Sequence, residues 1–143
     1  MARAVRLSKS KISAGYRCQK RLWLETHRCE QAQVSRGSEH SFRMGHLFGD
    51  KARVVLGSGQ LIGHARDIGQ ALRETPAALQ RACVENTAVY QAAFEYQDVV
   101  SRADAFAPHT GGWHLTEVKA STSAKEYFYY DCAVQVWFVA APS

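Results

Sequence analysis

An acid and a base lie two positions apart in the stretch LTEVKAST, residues 115–122. The surrounding residues predict a β-strand, and side chains along a strand alternate between its two faces. Glu117 and Lys119 are therefore expected to point to the same side. On an edge strand such a pair is often only a solvated ion pair, which contributes little to stability. Its chemical meaning depends on whether a second carboxylate reaches the same face.

Asp104 is the candidate for that second carboxylate. It lies in the preceding strand-like segment, and the turn PHTGG between the two segments predicts a hairpin that brings Asp104 nearly opposite Glu117. Two facing carboxylates repel unless a cation lies between them, and oxygen ligands suit Mg²⁺ or Mn²⁺. Lys119 could then orient or deprotonate a water and stabilise charge on a phosphate. This combination is what phosphodiester hydrolysis requires.

Three strand-length runs must position these residues. The segments TAVYQAAFEY, DVVSRADAFA and GWHLTEVKA are separated by short turns, and they predict a three-stranded antiparallel meander. A further short strand is expected around Leu61 and Ile62. Together with the helical patterns elsewhere, these runs indicate an α/β (α+β) fold in which helices flank a mixed sheet.

Helical periodicity covers most of the remaining chain. A first helix is expected from a cap at Ser8 or Ser10 to about Glu25, with Lys9 outside its apolar stripe. The other expected elements are a polar connection over 31–40, a helix over 41–56, a helix over 67–74, one from Thr75 and Pro76 to about Cys83, and a last helix over 123–140. Gly45 and Gly49 lie one turn apart, which suggests close approach of another backbone.

Length and composition are those of an ordinary globular chain. With 143 residues, 46% of them hydrophobic, we expect a single domain over 1–143, with a basic helical part over 1–56 and the core over 57–143. No long apolar run is present, so we expect a cytoplasmic protein with no membrane contact. The four cysteines form no Cys-x-x-Cys pair and predict reduced thiols rather than disulfides or zinc ligands.

Positive charge is concentrated at the start of the chain. Residues 1–28 carry eight basic side chains against one acid, a net charge of +7 in a chain whose total is +5. Phosphate neutralisation by Lys and Arg supplies most sequence-independent affinity for nucleic acids. The segment therefore either meets a polyanion or is a solvated helix face, and its charge alone does not decide between the two.

In combination, these segments resemble the RecB-like nucleases of the PD-(D/E)XK superfamily, which are related to the CRISPR-associated RecB-like exonucleases. The family pattern of Asp, Glu-x-Lys and a helix bearing Gln stands here as Asp104, Glu117-Val118-Lys119 and Gln135. LSKSKISAGYRCQKRLWLE resembles the opening helix of the group and RMGHLFGDKAR its glycine-bearing second helix. The resemblance covers nearly the whole chain and implies a restriction-endonuclease-like core.

The resemblance also implies roles for individual residues. Asp104 and Glu117 would bind Mg²⁺ or Mn²⁺ with the backbone carbonyl of Val118, and Lys119 would be the catalytic lysine. Gln135 would position the metal site or the nucleic acid, unless it is only a surface amide. The candidates for contact with the DNA backbone lie on the first helix: Tyr16, Arg17, Lys20 and Arg21.

The chain departs from the family pattern in several places. A histidine expected four residues after Gly45 is replaced by Gly49, and His46 and Asp50 are the nearest substitutes as additional metal ligands. An acid expected on the first strand of the meander falls near Gln91, which has no charge. An iron–sulfur cluster is not expected, since too little sequence follows Gln135 to supply the C-terminal cysteines. The chain also ends where the superfamily usually adds a strand, which would make it a short or degenerate copy.

Three functions fit these observations. The first is a metal-dependent nuclease that hydrolyses DNA. The second is a catalytically inactive module that keeps the fold and binds nucleic acid. The third is an interaction domain that uses the aromatic run over 127–130 as a binding patch, although aromatic residues at this density more often belong to a core.

Overall fold

A mixed sheet flanked by helices forms the framework of the chain. The computed structural model describes residues 6–31, 33, 36–63 and 67–140. Within these residues the strands are β1 (Leu7–Ser8), β2 (Gly59–Leu61), β3 (Ala88–Tyr96), β4 (Val99–His109) and β5 (Gly112–Thr116). The helices are α1 (Lys9–Arg17), α2 (Gln19–His27), α3 (Arg36–Leu56), α4 (Ile68–Glu85) and α5 (Glu126–Val139). The predicted α/β class with a mixed sheet is confirmed.

The antiparallel meander of β3, β4 and β5 is confirmed, and β4 is its centre. β3 pairs along one edge of β4, while the other edge pairs with β1 near its start and with β5 near its end. The turn between β3 and β4 consists of Gln97 and Asp98, which both have positive φ (47° and 61°), as a tight type I′ hairpin turn requires. β1 and β2 add parallel pairs at the two sides.

Small side chains bring α4 close to the sheet. Ala71, Ala78 and Ala82 on one face of this helix are buried against Val89 and Phe106 of the meander. Alanine contributes no side-chain entropy cost and favours the helix, so this face serves both local propensity and packing. The core therefore lies between α4 and the sheet.

The first helical segment is divided, where we expected one continuous helix to about Glu25. α1 begins after Ser8, whose hydroxyl accepts a hydrogen bond from the Lys11 amide, and it ends at Arg17. Cys18 is extended, and α2 then folds back. A Cβ at Gly15 would lie 2.7 Å from Cδ2 of Leu22, so glycine is what permits this close approach.

The expected helix start at Thr75 and Pro76 is wrong, because α4 continues through both residues. The Thr75 hydroxyl donates to the carbonyl of Ala71 and accepts from the Ala93 amide on β3 (2.8 and 2.9 Å). The residue thus connects the helix to the sheet instead of capping a new helix.

α3 also differs from expectation. It begins at Arg36, inside the predicted polar connection over 31–40. A Cβ at Gly45 or Gly49 would meet no atom within 4 Å, so the expected close approach of another backbone at these glycines is wrong. They border open space, described below. Among the helices that the structure describes, none is long and apolar enough to cross a membrane.

We expect Thr75→Val to destabilise the protein by about 1–3 kcal/mol, because the buried Ala93 amide would lose its acceptor. Thr75→Ser retains the hydroxyl and should recover most of that loss. Urea unfolding of the two variants and the wild type measures the difference. A valine variant as stable as the serine variant would show that this hydrogen bond contributes nothing.

Candidate functional site

Asp104 and Glu117 meet where the pairing of β4 and β5 ends. Ala105 and Thr116 are the paired residues farthest from the turn. Asp104 precedes Ala105 on β4, and Glu117 follows Thr116 directly after β5, so the two acids adjoin the end of the hairpin as predicted. Asp104 Oδ2 accepts a hydrogen bond from the Val118 amide (2.7 Å). This side-chain contact takes the place of the next backbone pair, and β5 ends at Thr116, earlier than the strand predicted through Ala120.

Glu117 is the centre of the site. Its side chain is 7% exposed, and its Oε1 contacts the Nζ atoms of Lys119 (2.7 Å) and Lys9 (2.6 Å). Its Oε2 accepts a hydrogen bond from Nε2 of Gln135 (2.7 Å). The expected convergence of Glu117 and Lys119 is therefore present, even though neither residue lies in a strand.

One face of α5 reaches into this cluster. Gln135 is 2% exposed, so it is not a surface amide, and its Nε2 also donates to the carbonyl of Arg102 (3.1 Å). One turn earlier, Asp131 Oδ2 contacts Nζ of Lys119 (2.6 Å), while its Oδ1 accepts from the Ser13 hydroxyl (2.9 Å). Lys119 is thus held between two carboxylates.

Gln91 lies on the other side of Asp104. Its Nε2 donates to Asp104 Oδ1 (3.0 Å). Its backbone has φ 60° in the middle of β3, which costs a non-glycine residue about 1–3 kcal/mol. The register of β3 against β4 is the same before and after this residue, so the distortion is local. Gln91 thus gives Asp104 a second hydrogen-bond donor besides the Val118 amide.

The two central carboxylates differ in acidity. The pKa of Asp104 is raised, because its carboxyl is buried and faces the charge of Glu117. Burial alone would also raise the pKa of Glu117, but Lys9 and Lys119 outweigh it and the pKa is lowered. Burial likewise opposes the charge of Lys119, yet Asp131 and Glu117 raise its pKa. At neutral pH the network therefore favours an ionised Glu117 beside an ammonium.

A cavity of about 720 Å³ opens from this cluster toward α3. The additional metal candidates His46, Asp50 and Gln91 line it together with Asp104 and Glu117, and so do Gly45 and Gly49. Asp50 is paired with Arg53 (2.5 Å). Over the described ranges, no three His, Cys, Asp or Glu side chains are grouped closely enough to hold a metal ion. His46 and Asp50 therefore border the site without completing a ligand set.

The candidate DNA-contact residues lie apart from this cavity. Tyr16, Arg17, Lys20 and Arg21 are all exposed. Arg21 pairs with Glu25 (2.6 Å). Tyr16 and Arg17 line a different cavity, between α1 and α5. Arg21 borders a smaller cavity together with Lys119 and Asp131, and Lys20 lies on the surface of α2.

Sequence reasoning missed Lys9, which was expected outside the apolar stripe of the first helix. It reaches Glu117 because β1, directly before it, pairs in parallel with the start of β4. β1 has two residues, too few for an alternating pattern to reveal its pairing. The excess positive charge of the N-terminal segment was the available signal for a cation here.

The chain matches no family model, no curated protein and no solved structure.

Replacing Asp104 by Asn should leave the metal-free protein equally stable or more stable at pH 7. A carboxyl whose pKa is raised by folding stabilises the fold below its unfolded pKa of about 3.9, and this contribution is lost as pH rises through the folded value. The Asn side chain can keep the Val118 bond and donate to a rotated Gln91 amide.

The measurement is urea unfolding of Asp104→Asn and wild type in chelator between pH 3 and pH 8. We expect the free energy of unfolding of the variant relative to wild type to increase with pH. A marked loss of stability at pH 7 would mean instead that Asp104 contributes mainly as a hydrogen-bond acceptor.

Proposed function

We propose that this chain is a metal-dependent nuclease that hydrolyses phosphodiester bonds of DNA. The observation that carries the proposal is the convergence on Glu117 of Lys119 and Gln135, with Asp104 opposite. The order of these residues along the chain, Asp104, then Glu117 and Lys119, then Gln135, resembles the motif order of the RecB-like nucleases. A buried acid joined to a lysine beside an open cavity also fits the general expectation that perturbed titratable groups cluster at functional sites.

The donor set fits Mg²⁺ or Mn²⁺. A carboxylate has about four acceptor positions. Asp104 uses two of them for Gln91 and Val118, and Glu117 uses three for Lys9, Lys119 and Gln135 among the described residues. Lone pairs on both acids therefore remain for a hard cation, and Val118 lines the same cavity. The repulsion that raises the pKa of Asp104 is what a cation would relieve.

Such a metal ion would neutralise charge on the phosphate and lower the pKa of a bound water. Lys119 would orient that water or stabilise the charge that develops on the phosphate. Asp131 holds the Lys119 ammonium from the opposite side and keeps it charged. Gln135 fixes Glu117 through Nε2, while its buried Oε1 has no hydrogen-bond partner among the described residues.

A second function, an inactive module that binds DNA, is favoured by a different observation. Lys9 already supplies a positive charge at Glu117, and the first strand offers Gln91 where a further acid was expected. Both features reduce the need for a metal ion. The basic segment over residues 1–28 would support DNA binding in either case.

The purified protein should hydrolyse DNA with added Mg²⁺ or Mn²⁺ and not in excess chelator. Lys119→Met keeps the aliphatic stem, and Glu117 retains Lys9 as a partner, so the variant should fold. We expect its turnover to fall by about 100-fold or more, the usual loss when one electrostatic stabiliser of a transition state is removed.

Lys51→Met is a matched control, because Lys51 is an exposed residue of α3 that does not line the cavity. It should cleave as wild type does. Cleavage that survives in chelator would contradict the metal-dependent mechanism. DNA binding without cleavage, with every divalent ion tried, would support the inactive module.

Lys9 provides a separate test of the metal site. If its ammonium competes with the cation for Glu117, Lys9→Met should bind Mn²⁺ about tenfold more tightly or better. A hydrogen bond to a charged group is worth roughly 1.5–3 kcal/mol, and 1.4 kcal/mol is a factor of ten in affinity. Isothermal titration calorimetry measures this change directly.

Lys11→Met on the same helix controls for loss of overall positive charge and should leave Mn²⁺ affinity nearly unchanged. Equal or weaker Mn²⁺ binding by Lys9→Met would show that Lys9 does not compete with the metal. Mn²⁺ binding by Lys9→Met alone, with none by wild type, would favour the inactive module.

A further inference from the structure

A second cavity, of about 570 Å³, lies between α1 and α5. Three tyrosines line it, Tyr16 from α1 and Tyr127 and Tyr130 from α5, together with Arg17, Glu126 and shorter side chains. Its volume is in the range of pockets that hold small organic groups. Neither the carboxylate pair nor Lys119 borders it directly, so it is distinct from the site described above.

The tyrosines are unusually open to solvent for side chains of this size. Tyr16 is 70% exposed, and Tyr127 and Tyr130 are 39% and 40% exposed. The rings are nevertheless ordered by one another: the centroids of Tyr16 and Tyr130 are 4.7 Å apart, and their hydroxyls are hydrogen-bonded (3.1 Å). The guanidinium of Arg17 lies over the ring of Tyr127 at 4.7 Å. The cavity therefore has a preformed aromatic wall, and Arg17 contributes a cation to its lining.

This aromatic cavity is adjacent to a second one that the candidate catalytic lysine borders. Ser13, Arg17 and Tyr127 also line a smaller cavity of about 270 Å³, whose other wall includes Lys119 and Asp131. The Ser13 hydroxyl, which borders both cavities, is bonded to Asp131, the carboxylate that holds Lys119. A ligand with a phosphate near Lys119 could thus extend into the aromatic cavity without crossing the protein interior.

We propose that the aromatic cavity binds an unpaired nucleobase of single-stranded DNA, adjacent to a phosphate held near Lys119. The inference rests on the proposed function and adds the kind of strand that the site accepts. Stacking on aromatic rings suits any base and is worth about 1–3 kcal/mol per base. Arg17 at the rim, with Lys20 exposed on the next helix, supplies positive charge for the backbone.

In combination with the aromatic lining, the positive charge of the N-terminal segment favours a nucleic acid as the occupant of this cavity. The segment that contributes Tyr16 carries a net charge of +7 over residues 1–28. Such a surface attracts a polyanion and gains affinity by releasing its counterions. Bases that remain paired and stacked within a duplex cannot enter the cavity, which therefore selects single strands or unpaired ends.

Tyr130→Leu tests the proposal, because it removes the ring and preserves an apolar side chain. Binding to a labelled twelve-residue oligothymidine is followed by fluorescence anisotropy in excess chelator, where no cleavage occurs. We expect Tyr130→Leu to weaken this binding by about fivefold to a hundredfold, the range for loss of one stacked base. Tyr130→Phe keeps the ring and should bind nearly as wild type does.

Tyr129→Leu is the matched control, since Tyr129 is 68% exposed on the same helix and does not line the cavity. It should not change the affinity. The affinity for a duplex, which depends on phosphate contacts, should be unchanged in all three variants. Tyr127→Leu provides a second substitution in the cavity, and circular dichroism verifies that each variant is folded.

Oligothymidines with one abasic residue at successive positions locate the bound base. At one position the abasic residue should weaken wild-type binding as much as Tyr130→Leu does, and it should cause no further loss in that variant. The proposal would be overturned if the losses of affinity caused by the abasic residue and by Tyr130→Leu were fully additive at every position. So would unchanged single-strand affinity in Tyr130→Leu and Tyr127→Leu, or an equal loss in Tyr129→Leu.

The test of the base site and the test of nuclease activity can fail independently. If the cavity variants bind single strands normally while the wild type still cleaves DNA with Mg²⁺, the base site is wrong and the nuclease stands. If the wild type binds neither single-stranded nor duplex DNA and cleaves neither, both proposals fail.

Discussion

The negative charge of Glu117 is the constraint around which the site is organised. A carboxylate that is removed from water costs several kcal/mol unless it is paired and hydrogen-bonded. The compensating groups come from three separate parts of the chain: Lys9 at the start of α1, Lys119 after β5 and Gln135 on α5. The Glu117 side chain therefore connects α1 and α5 to the end of the meander.

Asp104 shows that this arrangement is not optimised for stability alone. With both cations directed at Glu117, the second carboxylate is left with neutral donors and a raised pKa. One of those donors, Gln91, is supplied by a residue with a strained backbone. Strain and perturbed acidity in one place are typical of sites that bind or react. A cation placed between the two acids would relieve the repulsion that raises the pKa of Asp104.

Local sequence signals predicted the part of the site that local geometry controls. A tight turn sets the register of a hairpin, so the alignment of Asp104 with Glu117 could be inferred from the spacing of each acid from the turn. The role of Gln135 was implied by the resemblance alone, and a surface amide was the open alternative. The resemblance named the same residues, but the hairpin predicted the pairing independently.

Features that depend on distant packing could not be predicted in this way. Lys9 reaches Glu117 across 108 residues through a two-residue strand, and no periodicity in its helix indicates that contact. Thr75 and Pro76 carry a strong local signal for a helix start, which the bond from Thr75 to β3 overrides. The left-handed conformation of Gln91 likewise results from its neighbours, since glutamine has no preference for it.

Glu117 and Lys119 border different cavities. Glu117 borders the cavity under α3, which also contains Asp104, whereas Lys119 borders the smaller cavity that leads to the tyrosines. The ion pair thus lies at the boundary between a region that could hold a metal and a region that could hold a base. A nucleic acid bound across that boundary would have its phosphate at the lysine, where positive charge is required both to bind it and to stabilise its hydrolysis.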